Sequence, residues 1–171
     1  RAVYKGNWKA LPDFAKLKPI QTGKATSISR SVPGRNDGYG LLYTGEIACN
    51  TAGRYALALG SDDGSRLWVD GKMVIDNDGL HGDVTKHAEL DLPKGSHALR
   101  LAYFQAGGGK ALHLTVHPVS AAAESLLSLK LAVRAQPLNY PAWDELGQAL
   151  SRSKADANAL RAYQVEVLKA L

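Results

Sequence analysis

Residues 55–71 read Tyr55-Ala56-Leu57-Ala58-Leu59-Gly60-Ser61-Asp62-Asp63-Gly64-Ser65-Arg66-Leu67-Trp68-Val69-Asp70-Gly71. Up to Gly60 the side chains alternate with a period of two, which sends neighbours to opposite faces of a strand. Ser61-Asp62-Asp63-Gly64-Ser65 interrupts the rhythm, Arg66-Leu67-Trp68-Val69 resumes it, and Asp70-Gly71 offers two residues that tolerate positive φ at the centre of a tight hairpin. Outward from this stretch the pattern recurs around Ile47, in Lys72 to Asp76, in His87 to Leu92, in His97 to Phe104 and in Ala111 to His117. Short alternating segments punctuated by glycine predict an antiparallel β-sandwich or barrel, with Pro93-Lys94-Gly95-Ser96 expected to close a further hairpin. Residues 1–38 are less regular. Turns at Leu11-Pro12-Asp13-Phe14 and Val32-Pro33-Gly34 flank an expected short strand near Ile28, and the segment is expected to wrap the sheet edge.

At Ser120 the period changes to about 3.6 and Ala, Leu, Glu and Lys dominate, which predicts an α-helical segment of about three helices. These run to about Ala135, from about Pro141 to Arg152, and from about Ala155 to Leu171. The expected organisation is a β-sandwich domain over residues 1–119 and a helical tail over 120–171. Segregated β and α regions argue for two units with separate duties.

The 171 residues carry 21 Lys and Arg against 16 Asp and Glu, a net charge of +5. The surplus is spread along the chain with no run of four basic residues, so nucleic acid is not an expected partner. No apolar stretch reaches the roughly 18 residues of a membrane span, so membrane insertion is not expected either. The single cysteine, Cys49, excludes an internal disulfide and reads as a small buried hydrophobe. The chain opens on Arg1 without a charged-then-apolar leader, as expected if a leader is removed or the chain is a fragment.

The chemistry sits in three loops. Adjacent carboxylates in a strand point apart, so Asp62 and Asp63 can meet one ion only if the backbone between them departs from extended geometry, as a cis peptide would allow. Calcium, which accepts 6 to 8 oxygens with flexible geometry, suits such a pair; Asp-Asp-Gly-Ser is otherwise an ordinary polar turn. Gln105 offers an amide oxygen and Ala106-Gly107-Gly108-Gly109 a backbone free to approach a ligand closely. The third loop, Asp76-Asn77-Asp78-Gly79-Leu80-His81-Gly82-Asp83, differs from an EF-hand in its glycine position and lacks the closing Glu, so its polar groups are expected to hold a long turn.

Together Tyr4-x-Gly6-x-Trp8, Leu11-Pro12-Asp13-Phe14, Gly53-x-Tyr55, the Ser61 to Ser65 loop with Leu67-x-Val69-Asp70-Gly71, Asp76 to Gly79, Gly95-x-His97 and Tyr103-Phe104 resemble the protective-antigen domain of anthrax toxin, yeast flocculins and adhesins, and bacterial glycosidases. The resemblance covers about residues 1–119. Lectin members of that family are β-sandwiches in which two consecutive aspartates joined by a cis peptide hold Ca²⁺, which binds vicinal sugar hydroxyls. By position the resemblance implies Asp62 and Asp63 as metal ligands, with Gln105 and the backbone of Ala106, Gly107, Gly108 and Gly109 completing the metal and sugar site. Asp78, His81 and Trp68 are secondary candidates. The later loop has Gln and glycines where fungal members tend to have Asn and an aromatic, which leaves sugar choice open.

In the tail, Trp143, Leu146, Gly147, Ala159 and Tyr163 resemble the tetratricopeptide repeat, with Ala132 and Pro137 at the end of a preceding one, although Leu150 and Glu166 depart from its pattern. An unrelated three-helix cap is the other reading. His113 and His117 lack a third ligand at zinc spacing, and Asp62 and Asp63 are too close for the flanking carboxylates of glycoside hydrolysis. The expectation is therefore a non-catalytic, calcium-dependent carbohydrate-binding module of an exported bacterial protein, periplasmic, cell-surface or extracellular. The alternative is a protein-interaction or spacer module working through the helical tail.

Overall fold

In the computed structural model, the described residues are 1–32, 34–119 and 148. The chain divides into Arg1–Pro118 and Val119–Leu171. The first unit holds nine strands: β1 (Ala2–Lys5), β2 (Gln21–Thr22), β3 (Tyr39–Cys49), β4 (Gly53–Asp62), β5 (Ser65–Val69), β6 (Lys72–Asn77), β7 (Val84–Leu92), β8 (Gly95–Gln105) and β9 (Ala111–Pro118), with one 3-10 turn at Phe14–Lys16. All pairings are antiparallel, in one sheet ordered β2-β1-β3-β8-β5-β6 and another ordered β7-β4-β9.

The seven strands expected between Tyr39 and His117 all form. Asp70 and Gly71 both take positive φ, 49° and 78°, as the turn between β5 and β6 requires. Three expectations need correction. Among the described residues the named elements are strands and one 3-10 turn, Gln148 alone having helical geometry, so the fold class is mainly antiparallel β without the expected C-terminal helical segment. The helices and tetratricopeptide-like pattern expected over 120–171 lie outside the described residues, Gln148 excepted. Pro93 to Ser96 does not close a hairpin, because β7 pairs with β4 whereas β8 is taken on both sides by β3 and β5, so this connection passes from one sheet to the other. No strand forms near Ile28, whose side chain instead packs on the core, and the edge of the larger sheet is made by β1 and β2.

The core follows from the alternation. Tyr55, Leu57 and Leu59 of β4 point inward to meet Leu41 and Tyr43 of β3, Leu67 and Val69 of β5, and Leu101 and Tyr103 of β8. Each such side chain contributes about 1.5–3 kcal/mol when fully buried. Cys49 is among them, a buried free thiol. On the outer face of the larger sheet Tyr4, Phe14 and Ala102 form a second cluster with Trp8, Leu11, Leu42 and Trp68. Asp13 starts the turn that carries Phe14 there, its carboxylate accepting from Ala15 N at 3.1 Å. Gly40 makes room for that ring, since a Cβ on it would stand 2.7 Å from Phe14. Gly40→Ala is therefore expected to cost about 1–3 kcal/mol through overpacking, read by chemical denaturation.

Buried His97 joins two connections at the far end from β4's aspartates. Its Nδ1 lies 2.7 Å from Asp70 Oδ2 and its Nε2 2.9 Å from Pro93 O, so both nitrogens face acceptors and only the imidazolium can donate to both. The Pro93 carbonyl first, then the Asp70 carboxylate, raise the His97 pKa, while the hydrogen bond from His97 is the main cause holding Asp70 below the usual carboxylate range. The folded state thus holds the imidazole proton more tightly than the unfolded chain. That stabilisation is complete below about pH 6.5 and is lost as pH rises through the higher folded value; the Asp70 contribution is lost as pH falls below about 4. A melting temperature that declines with rising pH above about 6.5, and a flatter profile in His97→Gln, are the expected results.

Candidate functional site

β4, β6 and β8 end, and β3, β5, β7 and β9 begin, at one edge of the sandwich, as the pairs Tyr39 with Gln105, Ser65 with Tyr103 and with Asn77, Ser61 with Val84, and Asp62 with Ala111 require. The three loops singled out by sequence meet there. Buried hydroxyl and amide groups fix their bases: Ser61 and Ser65 Oγ lie 2.7 Å apart, and Asn77 Nδ2 donates to Ser61 Oγ at 3.1 Å and to Val84 O at 2.9 Å. All three side chains are essentially inaccessible. Asn77→Ala would leave the Val84 carbonyl and the serine pair without that donor, at about 1–3 kcal/mol in denaturation midpoint analysis.

The Asp62–Asp63 peptide is cis. Both residues are buried, with 7% and 5% of their surface exposed, an unusual burial for two adjacent acids without a paired cation. Asp63 Oδ2 accepts from Ala106 N at 2.8 Å and more weakly from Gly107 N at 3.4 Å, so one carboxylate holds the glycine loop by its backbone. The Asp62 carboxylate has no donor or cation partner among the described residues. Burial first, then the like charge of Asp63, push its pKa up, with His81 opposing and Asp83 adding. A Cβ on Gly109 would stand 2.4 Å from Asp62 Oδ2, so only glycine lets the loop come so close to that carboxylate.

Gln105 is fully buried under this arrangement. Its Nε2 donates to Gly109 O at 2.9 Å and to Asp37 Oδ1 at 3.4 Å, while its Oε1 takes a share of the Tyr103 hydroxyl proton, which also goes to Asp62 O at 2.7 Å. The two acceptors beside the amide nitrogen fix its orientation. Burial above all, with Tyr39 beside it, pushes the Tyr103 phenol up, so it remains a donor. Gln105 thus holds the Gly109 carbonyl and the loop, and its own oxygen is engaged inward. Tyr103, Asp37 and Gly64 were not singled out for this site by sequence. The paired Tyr103-Phe104 of the family motif was the available signal, since a buried tyrosine needs a polar partner.

The secondary candidates have other duties. Asp78 Oδ1 accepts from Leu11 N and Gly79 N, each at 2.8 Å, and its Oδ2 lies 3.2 Å from Arg66 Nη2, which ties the N-terminal segment to the third loop. That loop packs beside the first, since a Cβ on Gly64 would meet Asp78 Oδ1 and Gly79 N at 2.8 Å. His81 spans the loop between Gly82 O at 2.7 Å and Asn77 O at 2.8 Å. Trp68 lies under the Arg100 guanidinium, 4.7 Å from the ring centroid, within the outer cluster and apart from the aspartates. His113 shares a contact of 3.3 Å with Thr85 over Gly60, and no group of three or more His, Cys, Asp or Glu with metal-binding geometry occurs among the described residues.

A family described as the PA14 domain matches residues 19–125, more than half of the chain. The chain belongs to the PA14 domain family. Among solved structures, this PA14 domain is similar to an anti-sigma factor domain-containing protein, with TM-score 0.57 and 21% identity over 70% of this chain and 42% of that one. It is also similar to the PA14 domain of the antifreeze protein MpAFP, with TM-score 0.54 and 20% identity over 70% of this chain and 81% of that one. A β-glucosidase from Kluyveromyces marxianus, solved with glucose, gives TM-score 0.55 and 16% identity over 78% of this chain and 17% of that one. The likeness at these identities is one of fold, and the chain spans less than half the length of the first of these proteins. No curated protein matches.

If Gly109 is glycine because of the Asp62 carboxylate, Gly109→Ala should displace that carboxylate and leave the fold intact. The expected result is an unchanged far-ultraviolet spectrum with a loss of at least about tenfold in any cation affinity of the aspartate pair, read by calorimetric titration with CaCl₂.

Proposed function

We propose that this PA14 domain is a non-catalytic, calcium-dependent carbohydrate-binding module of an exported bacterial protein, acting in the periplasm, at the cell surface or outside the cell. The observation that carries the reading is the Asp62 carboxylate, buried beside Asp63 with no partner among the described residues, at the point where the glycine loop comes closest. Membership of a family with sugar-binding members supports carbohydrate as the ligand class.

The residues present fit a calcium ion. Two adjacent acids supply hard, anionic oxygens, and the glycine loop, which approaches the Asp62 carboxylate at Gly109, has backbone carbonyls to offer as further ligands. Asp62, Asp63 and the carbonyls of residues 106–109 would hold the ion, with Gln105 positioning the Gly109 carbonyl. Bound there, Ca²⁺ would exchange waters for two vicinal hydroxyls of a sugar. Asp63 keeps the loop closed through the Ala106 and Gly107 amides, and the side chains bordering the loop select which diol fits. A shallow site of this kind binds weakly and gains from repetition along a glycan. The adjacency of the two acids supports binding over catalysis, since hydrolysis needs carboxyl groups roughly 5–9.5 Å apart on either side of a bond. Within the described residues no helix is long and apolar enough to cross a membrane.

At a hundredfold excess over Kd, calcium should stabilise the domain by about 2.7 kcal/mol, a rise in melting temperature on the order of 10 °C at this size. Asp62→Asn and Asp63→Asn should abolish the shift, and it should shrink as pH falls toward the raised pKa of Asp62, where protonation competes with the ion. A melting curve indifferent to chelator would overturn the calcium assignment. A glycan array with and without calcium tests the ligand class, and the absence of any calcium-dependent hit would overturn it.

A further inference from the structure

A second polar feature opens at the same edge, from the segment leading into β3. Arg30, Ser31, Val32, Arg35, Asn36 and Tyr39 line a cavity of about 400 Å³, within the range of small-ligand clefts, roughly 300–1,000 Å³. Its floor is rigid: Tyr39 is 1% exposed and donates to Arg30 O at 2.8 Å. Tyr39 pairs with Gln105 in the sheet and its ring lies 6.2 Å from that of Tyr103, which places the cavity floor beside the support of the aspartate loop.

Charge separates the two places. Neither Arg30 nor Arg35 has a carboxylate partner among the described residues. The acid nearest in sequence, Asp37, is committed elsewhere, 3.4 Å from Lys110 Nζ and 3.4 Å from Gln105 Nε2. A further cation is held at the rim, where Arg1 Nη1 donates to Ser31 O at 3.0 Å. Two arginines without a carboxylate partner, lining the same cavity as a serine and an asparagine, match a planar carboxylate, which arginine takes bidentately.

We propose that this cavity is an anionic subsite that takes the carboxylate of a sugar acid, so that the ligand class of the domain is acidic, uronate-bearing glycan. The choice of a sugar acid rests on the proposed carbohydrate function; the carboxylate pocket stands on the arginines alone. The two carboxylates at Asp62 and Asp63 repel such a ligand unless a cation covers them, and Arg30 and Arg35 offer the acid group a place away from them.

The test uses the full chain with ¹⁵N-labelled arginine side chains, stripped of divalent cations on a chelating resin and titrated in calcium-free buffer with glucuronate, glucose and acetate. Glucuronate should shift the Arg30 and Arg35 Nε signals with a Kd on the order of millimolar, glucose should not, and added salt should weaken the effect. Arg30→Gln/Arg35→Gln should lower glucuronate affinity at least about tenfold with the melting temperature and its calcium response unchanged. Acetate binding as tightly as glucuronate would overturn the sugar-acid assignment while keeping a carboxylate pocket. Equal responses to glucose and glucuronate, or undiminished glucuronate binding in the double variant, would overturn the pocket. Because calcium is absent throughout, failure of calcium-dependent binding of neutral sugars sinks the function proposed above without touching this result.

Discussion

Two negative charges on consecutive residues, largely withdrawn from water, dominate the free energy at one edge of this sandwich. Removing an ionised carboxylate from water is costly unless hydrogen bonds or a cation compensate, and the second charge raises the cost of the first. The surrounding structure compensates unevenly. Asp63 receives two backbone amides from the glycine loop, while Asp62 receives nothing from the described residues and is pushed toward protonation. That asymmetry sets what the edge can do: one carboxylate organises the loop, and the other remains available to whatever cation approaches.

Holding such an arrangement requires rigid support, and the sequence supplies it below the loops. Ser61, Ser65 and Asn77 are polar residues at positions where the β alternation points inward, and they satisfy one another across β4, β5 and β6. Tyr103 and Gln105 do the same on β8, tying the Asp62 carbonyl to the Gly109 carbonyl through two side chains. Within this support every side-chain polar atom closed off from solvent has a partner among the described residues. Fully satisfied networks of this kind hold one geometry, because any alternative would strand a donor or an acceptor.

The sandwich was legible where the period of two is unbroken, from Tyr39 through His117, since alternation decides both the element and the face it buries. In residues 1–38 the edge position was expected but the strands were not placed, because two-residue and four-residue strands such as β2 and β1 are too short to show a period and the pairing of β1 with β3 is encoded by no local pattern. The connection at Pro93 to Ser96 misled for a related reason. Turn residues report that the chain reverses, whereas the choice of partner sheet is made by β3 and β5 competing for β8.

At this edge, residue types pointed to loops that the fold brings together, and contact geometry then divided their roles. Gln105 reads in sequence as an oxygen donor to a metal, yet a side chain at the last inward position of β8 is buried, and a buried amide must satisfy both of its ends. Its oxygen goes to Tyr103 and its nitrogen to Gly109, so its hold on the glycine loop passes through a backbone carbonyl. Asp78 follows the same logic: an acid in a glycine-rich loop looks like a ligand until Arg66 and the Leu11 amide occupy it. Charges that the fold has paired are structural, and among those it leaves unpaired are Asp62 on one side and Arg30 with Arg35 on the other, where an external partner can still lower the free energy. An edge with an unmet anion beside an unmet pair of cations favours a ligand that arrives with a cation and carries a negative group of its own.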